Sequence, residues 1–125
     1  MASSRPAALI VEDQPFVGMV ASDILKESGF QTFHAYDAEA ATQLLDEHPE
    51  IELLLTEVQL PGDVDGLELC RRVSRRRPDV QLVVTATSPE LKYQDVPSNA
   101  HVLRKPYASG ELRTLVVDKA TLAEA

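Results

Sequence analysis

The sequence predicts an α/β fold in which a doubly wound parallel sheet is covered by helices on both faces. Three observations carry this. Short aliphatic runs alternate with longer amphipathic segments along the chain, the pattern of repeated strand–helix units. The runs at 7–11 and 51–56 are close to continuously apolar, as strands buried on both faces are. The runs also end in polar or charged residues, and in such sheets function sits beyond the carboxyl ends of the strands.

Ala7 to Val11 is the first strand and runs into Glu12-Asp13. Pro15 opens the first helix, where its missing N–H costs nothing. Val17, Val20, Ala21, Ile24 and Leu25 recur there at helical spacing, and Ser28-Gly29 stops it with a natural left-handed cap. Gln31 to Ala35 is a second, more exposed strand. Asp37 is the expected N-cap of a helix through about Glu47, with Ala40, Ala41, Leu44 and Leu45 as its apolar face. Ile51 to Thr56 is the third strand, and Leu53-Leu54-Leu55 marks it as central; Glu57 follows at its carboxyl end.

The stretch from Leu60 to Gly66 is a turn by composition, and Leu67 to Arg77 a helix with Leu69, Cys70 and Val73 inward. Val80 to Val84 is the fourth strand, ending at Thr85. Thr87 to Asn99, with Pro89 and Pro97, supports at most a short helix. Ala100 to Leu103 is the fifth strand, ending in Arg104-Lys105-Pro106. Ser109 caps a last helix carrying Leu112, Leu115, Val116 and Ala120, with Glu111 near its positive end. The count is five strands and five helical segments.

At 125 residues the chain is expected to be one domain, with a core over about 7–120 and no output domain. Apolar residues make up 44% and charged residues 26%, the balance of an ordinary globule. Twenty acids against 12 bases give a net charge of -8, which disfavours nucleic acid as a partner. No apolar run approaches the ~18 residues of a membrane span, and the start lacks a signal peptide, so a cytoplasmic protein is expected. Cys70 is the single cysteine, which excludes an internal disulfide.

The strand ends bring Glu12, Asp13, Glu57, Thr85 and Lys105 to one rim. Three nearby carboxylates repel unless a cation or a proton neutralises them. Oxygen ligands of this kind suit a hard ion such as Mg²⁺. Lys105 and such a metal would together bind a phosphoryl group, with Thr85 hydrogen-bonding its oxygens.

At these residues the chain resembles the receiver domain of bacterial response regulators, from about Ala8 to Val117. The resemblance rests on VEDQP after strand one, LLLTEVQLPGDVDGLEL around strand three, VVTAT after strand four and LRKPY after strand five. It implies a flavodoxin-like, three-layer (βα)5 fold with strand order 2-1-3-4-5. It also implies a two-component phosphorelay, in which a histidine kinase passes a phosphoryl group to an aspartate at the end of strand three. By motif position Glu12, Asp13 and Glu57, with the backbone carbonyl of Gln59, fall where the family holds Mg²⁺. Thr85 matches the switch hydroxyl and Lys105 the lysine. Lys105-Pro106 is the candidate cis peptide.

Two departures stand out. The phosphoacceptor position is Glu57 and not Asp. The extra methylene pushes its carboxylate outward by roughly one C–C bond, and in-line transfer is sensitive to misplacement: an error of about 1 Å costs on the order of 100-fold. Poor acceptance of phosphate is therefore expected. Either Glu57 partly mimics the phosphorylated state, or it pairs with Lys105 and locks the rim. The second departure is Val102, where many receivers carry an aromatic residue; Tyr107 is the alternative aromatic partner of the switch. A subfamily with a KPY or KPF ending and an irregular fourth helix fits this chain.

The expected partners are a histidine kinase, a histidine phosphotransfer protein or another receiver, docking by Gln14, Pro15 and Phe16, with the chain a monomer or weak homodimer. Arg71, Arg72, Arg75, Arg76 and Arg77 concentrate on the third helix, either as a docking patch or as cations favoured at a helix C-terminus. His34, His48 and His101 lack metal-ligand spacing and receive no role. Rival readings are a small Mg²⁺-dependent phosphohydrolase, a flavodoxin-like nucleotide or flavin binder, and an ordinary receiver whose acceptor Asp was replaced by Glu. Against the binder, Glu-Asp-Gln-Pro after strand one would repel phosphate.

Overall fold

In a computed structural model of the chain, residues 5–86, 96–105 and 108–124 are described, with side chains as far as 116. The element order is β1 (Ala7–Val11), α1 (Pro15–Glu27), β2 (Gln31–Ala35), α2 (Ala38–Glu47), β3 (Ile51–Glu57), α3 (Gly66–Arg76), β4 (Gln81–Ala86), β5 (Ala100–Arg104) and α4 (Ser109–Glu124). The strands form one parallel sheet in the order β2-β1-β3-β4-β5. This is the doubly wound, flavodoxin-like arrangement expected from the sequence, with β3 at its centre.

Strand periodicity divides the core. Ala7, Leu9, Val11, Leu54, Leu82 and Val84 face α2 and α3. Ala8, Ile10, Leu53, Leu55 and Val83 face α1 and α4. Successive side chains point to opposite faces, so a run buried on both faces must be apolar at every position. Gly29 holds φ 97° after α1, as its place behind Ser28 predicts.

Several details depart from the sequence reading. Four helices are found among the described residues; the expectation for Thr87 to Asn99 lies, for 87–95, outside them. Val20 was expected on the buried stripe of α1 but is 58% exposed, because the helix buries Gly18, Ala21, Ile24 and Leu25 instead. Helix α3 starts one residue early, at Gly66, because the Asp65 carboxylate caps it by accepting the Glu68 N–H at 2.8 Å. Ser109 does not cap α4. It is the first residue of the helix, and the Glu111 carboxylate reaches back to accept the Ala108 N–H.

Arg77 leaves the arginine row and becomes a clamp. Its guanidinium donates to the carbonyls of Leu45 (3.3 Å), Pro49 (3.1 Å) and Ile51 (2.7 Å), fixing the α2–β3 connection to the end of α3. Its Nε also pairs with Asp79 at 3.5 Å. Replacing it leaves these carbonyls short of a charged donor. Arg77→Ala is expected to lower unfolding free energy by about 2 kcal/mol in urea titrations, whereas Arg75→Ala shifts it by less than about 0.5 kcal/mol.

Candidate functional site

Parallel register sets the site. Glu57 is the last residue of β3 and lies opposite Thr85 of β4. Glu12 follows β1 and donates its N–H to the Ala35 carbonyl at 3.1 Å, which extends the β1–β2 ladder. Lys105 follows β5 and donates its N–H to the Ala86 carbonyl at 2.8 Å. Four strand ends thus deliver a carboxylate, a second carboxylate, a hydroxyl and an ammonium to one cleft.

Lys105 lies at its centre. Its ammonium is 3.1 Å from Glu12 Oε1 and in direct contact with Glu57 Oε2. The three side chains are only 16%, 6% and 11% exposed, in the order Lys105, Glu12, Glu57. Glu12 Oε2 accepts the Gln14 N–H at 3.2 Å. The Thr85 hydroxyl lies 3.5 Å from Glu57 Oε2. Burial works to discharge Lys105, but its hydrogen bonds to Glu57 and Glu12 and their negative charge outweigh that and hold its pKa above 10.5. The cleft holds about 10 Å³, bounded also by Val17, Gly18 and Leu55, which is room for about one water.

The backbone beneath Glu57 is held tightly. Thr56 donates its hydroxyl to the Glu57 carbonyl at 2.9 Å, and Gly66 donates its N–H to the Val58 carbonyl at 2.7 Å. A Cβ on Gly66 would overlap the Glu57 carbonyl, so only glycine lets the start of α3 approach this closely.

The sequence-predicted residues fall into three groups. Glu12, Glu57, Thr85 and Lys105 meet in the cleft. Asp13 is half-buried beside Glu12, and Gln59 is exposed beyond β3; neither lines the cleft. Val102 is half-buried on β5, opposite Val84. Pro106 and Tyr107 lie outside the described residues, and with them the cis-peptide and aromatic-switch expectations. Gln14, Pro15 and Phe16 are exposed at the start of α1, Phe16 at 81%. Sequence reasoning missed His34, whose Nε2 lies 3.1 Å from the Glu12 carbonyl and whose ring packs on Gly18. A lone histidine on a strand carries no spacing that would have revealed this.

Glu12, Asp13 and Glu57 are oxygen donors of the kind a hard divalent ion takes, and in this arrangement two of them are turned to Lys105. Among the described residues, no three His, Cys, Asp or Glu side chains gather closely enough to hold one. Glu12 and Glu57 each commit an oxygen to Lys105, so one ammonium offsets part of their charge. Elsewhere, burial pushes the Cys70 thiol up to about 12, which keeps it protonated and unreactive.

A parallel α/β sheet in the order 2-1-3-4-5 with carboxylates, a hydroxyl and a lysine at adjoining strand ends is the arrangement of a receiver-type domain. Residues 8–117 match the response regulator receiver domain. The chain is 32% identical over 114 residues to the response regulator receiver protein CpdR of Brucella abortus, covering 86% of this chain and 88% of that one. It is 25% identical over 111 residues to the uncharacterized transcriptional regulatory protein YrkP of Bacillus subtilis, covering 87% of this chain but only 47% of YrkP. Among solved structures, the signal receiver domain of an HD domain-containing protein from Pseudomonas fluorescens Pf-5 superposes with a TM-score of 0.82 at 26% identity, over 96% of this chain and 97% of that one. The chain belongs to the response regulator receiver domain family of two-component systems.

Two outcomes follow from this geometry. The stability that Lys105 contributes is fully present below 10.5 and is lost as pH rises through its higher folded-state value. In urea unfolding, the advantage of the wild type over Lys105→Met should hold to about pH 10 and shrink above it. Gly66→Ala should cost about 2 kcal/mol or more, read as a lowered urea midpoint, since the added methyl meets backbone.

Proposed function

We propose that this receiver domain signals from a rim held in one state by Glu57 and Lys105, without accepting phosphate. One observation carries the reading: the Glu57 carboxylate is bonded to Lys105 and its Oε2 lies 3.5 Å from the Thr85 hydroxyl, so it occupies the two groups that would hold the oxygens of a phosphoryl group. An aspartate is shorter by one methylene and would draw the acceptor oxygen back towards β3. Glu57 brings one charge and two oxygens where a phosphoryl group brings about two charges and three oxygens, so it is a partial mimic at most.

In this reading the chain's own residues do electrostatic and positional work. Lys105 offsets part of the rim's negative charge, Thr85 orients towards Glu57, and Glu12 holds the ammonium from the other side. By resemblance, Mg²⁺ would be held by Glu12, Asp13, Glu57 and the Gln59 carbonyl and would supply further neutralisation beyond what Lys105 gives. The output is protein contact. A histidine kinase, phosphotransfer protein or second receiver would dock on the start of α1, where Phe16, Met19 and Val20 are exposed apolar residues next to the rim.

Intact-mass measurement after incubation with Mg²⁺ and a small-molecule phosphoryl donor tests this. The chain as it stands should remain unmodified, while Glu57→Asp gains one phosphoryl group. Labelling of the Glu57 form would overturn the reading. Steady hydrolysis of a phosphate ester would support the phosphohydrolase alternative instead.

A further inference from the structure

The arginines of α3 remain after the site and the fold have taken what they use. Five of the chain's 12 Lys and Arg lie between 71 and 77, in a protein of net charge -8. Arg77 is spent on backbone carbonyls. Glu68 accepts from Arg71 at 3.1 Å and from Arg72 Nε at 3.1 Å, and these two partners hold its carboxyl below the usual range. Among the described residues Arg76 pairs only with Asp46, at 4.0 Å, and both are well exposed, so this pair contributes little. Arg75 makes no hydrogen bond or ion pair among the described residues.

A cavity of about 230 Å³ opens between α2 and α3 beside these side chains. Leu45 and Val73 form its apolar floor, and Arg72, Arg75 and Arg76 stand at its wall. It lies at the end of the sheet opposite Glu57, since Arg77 beside it bonds the carbonyl of Ile51, the first residue of β3. It is therefore separate from the cleft and from the exposed start of α1.

We propose that this groove docks an acidic segment of a partner protein, with Asp or Glu carboxylates on Arg75 and Arg76 and one apolar side chain on the Leu45–Val73 floor. Charge complementarity selects the occupant. Guanidinium groups recognise carboxylates by paired donors, and Arg75 and Arg76 have donors to offer. The weak Asp46 contact is displaced at small cost. The rest of the surface is acidic on balance and repels an acidic chain, so binding is confined to this groove and is strongly salt-dependent.

The test uses fluorescence anisotropy with the full chain and a short fluorescein-labelled peptide alternating Glu and Leu. The expected result is saturable binding that weakens as salt is raised. Arg75→Glu with Arg76→Glu should weaken it at least about tenfold, and Arg75→Gln with Arg76→Gln should do so by a smaller factor. All these positions are exposed, and unchanged thermal midpoints establish that the variants fold. Equal binding by wild type and the double Glu variant overturns the proposal, as does equal binding of a Lys-Leu peptide. Sedimentation that shows a wild-type dimer dissociated by the double Glu variant assigns the groove to a second copy of this chain, which also overturns it.

Discussion

The Lys105 ammonium, held between the largely buried Glu12 and Glu57 carboxylates, is the interaction on which the rest of this rim depends. Each carboxylate belongs to a different strand end, and each would be costly to keep charged there alone. One cation serves both, so β1, β3 and β5 are tied together where their backbones separate. The arrangement is favourable only because all three partners are present. It leaves the local charge at one net negative, and Asp13 beside it stays half in solvent.

The extra methylene of Glu57 gives this pair its consequence. It carries the carboxylate out to the ammonium and towards the Thr85 hydroxyl. The backbone offers no relief, since Thr56 and Gly66 hold the peptides that follow β3. On the proposed reading, a position that in an ordinary receiver switches between two charge states holds one. Information then leaves such a domain through surfaces and not through chemistry, which gives weight to the exposed residues of α1 at one end and the arginine groove at the other.

The two ends are built by different physics. At the rim, charges are buried and paired, and their geometry is exact to the reach of one side chain. At the far end, the same residue type serves two purposes. Arg77 satisfies three carbonyls and fixes a loop. Arg75, two residues earlier, points donors at solvent. A row of like residues in the sequence conceals that division, because only the path of the α2–β3 connection brings carbonyls to one guanidinium.

The sequence by itself determined the strands, their burial, the parallel sheet and the residues at the strand ends, because hydrophobic periodicity and local capping are written residue by residue. Asp37 could be read as a cap, and its carboxylate accepts the Ala40 N–H at 2.8 Å. Leu53 to Leu55 could be read as central, and they are buried at the middle of the sheet. The resemblance to receivers, read from motifs, gave the strand order. Only the tertiary structure decided which rim residues meet. Glu12 and Asp13 are neighbours in sequence, yet one joins Lys105 and the other does not, because the ladder to β2 extends to Glu12 and the chain bends at Asp13 towards α1. The exposure of Val20, the contact of His34 with the Glu12 carbonyl and the clamp made by Arg77 were likewise decided by packing between elements distant in the chain. Such contacts depend on distances that no local pattern encodes.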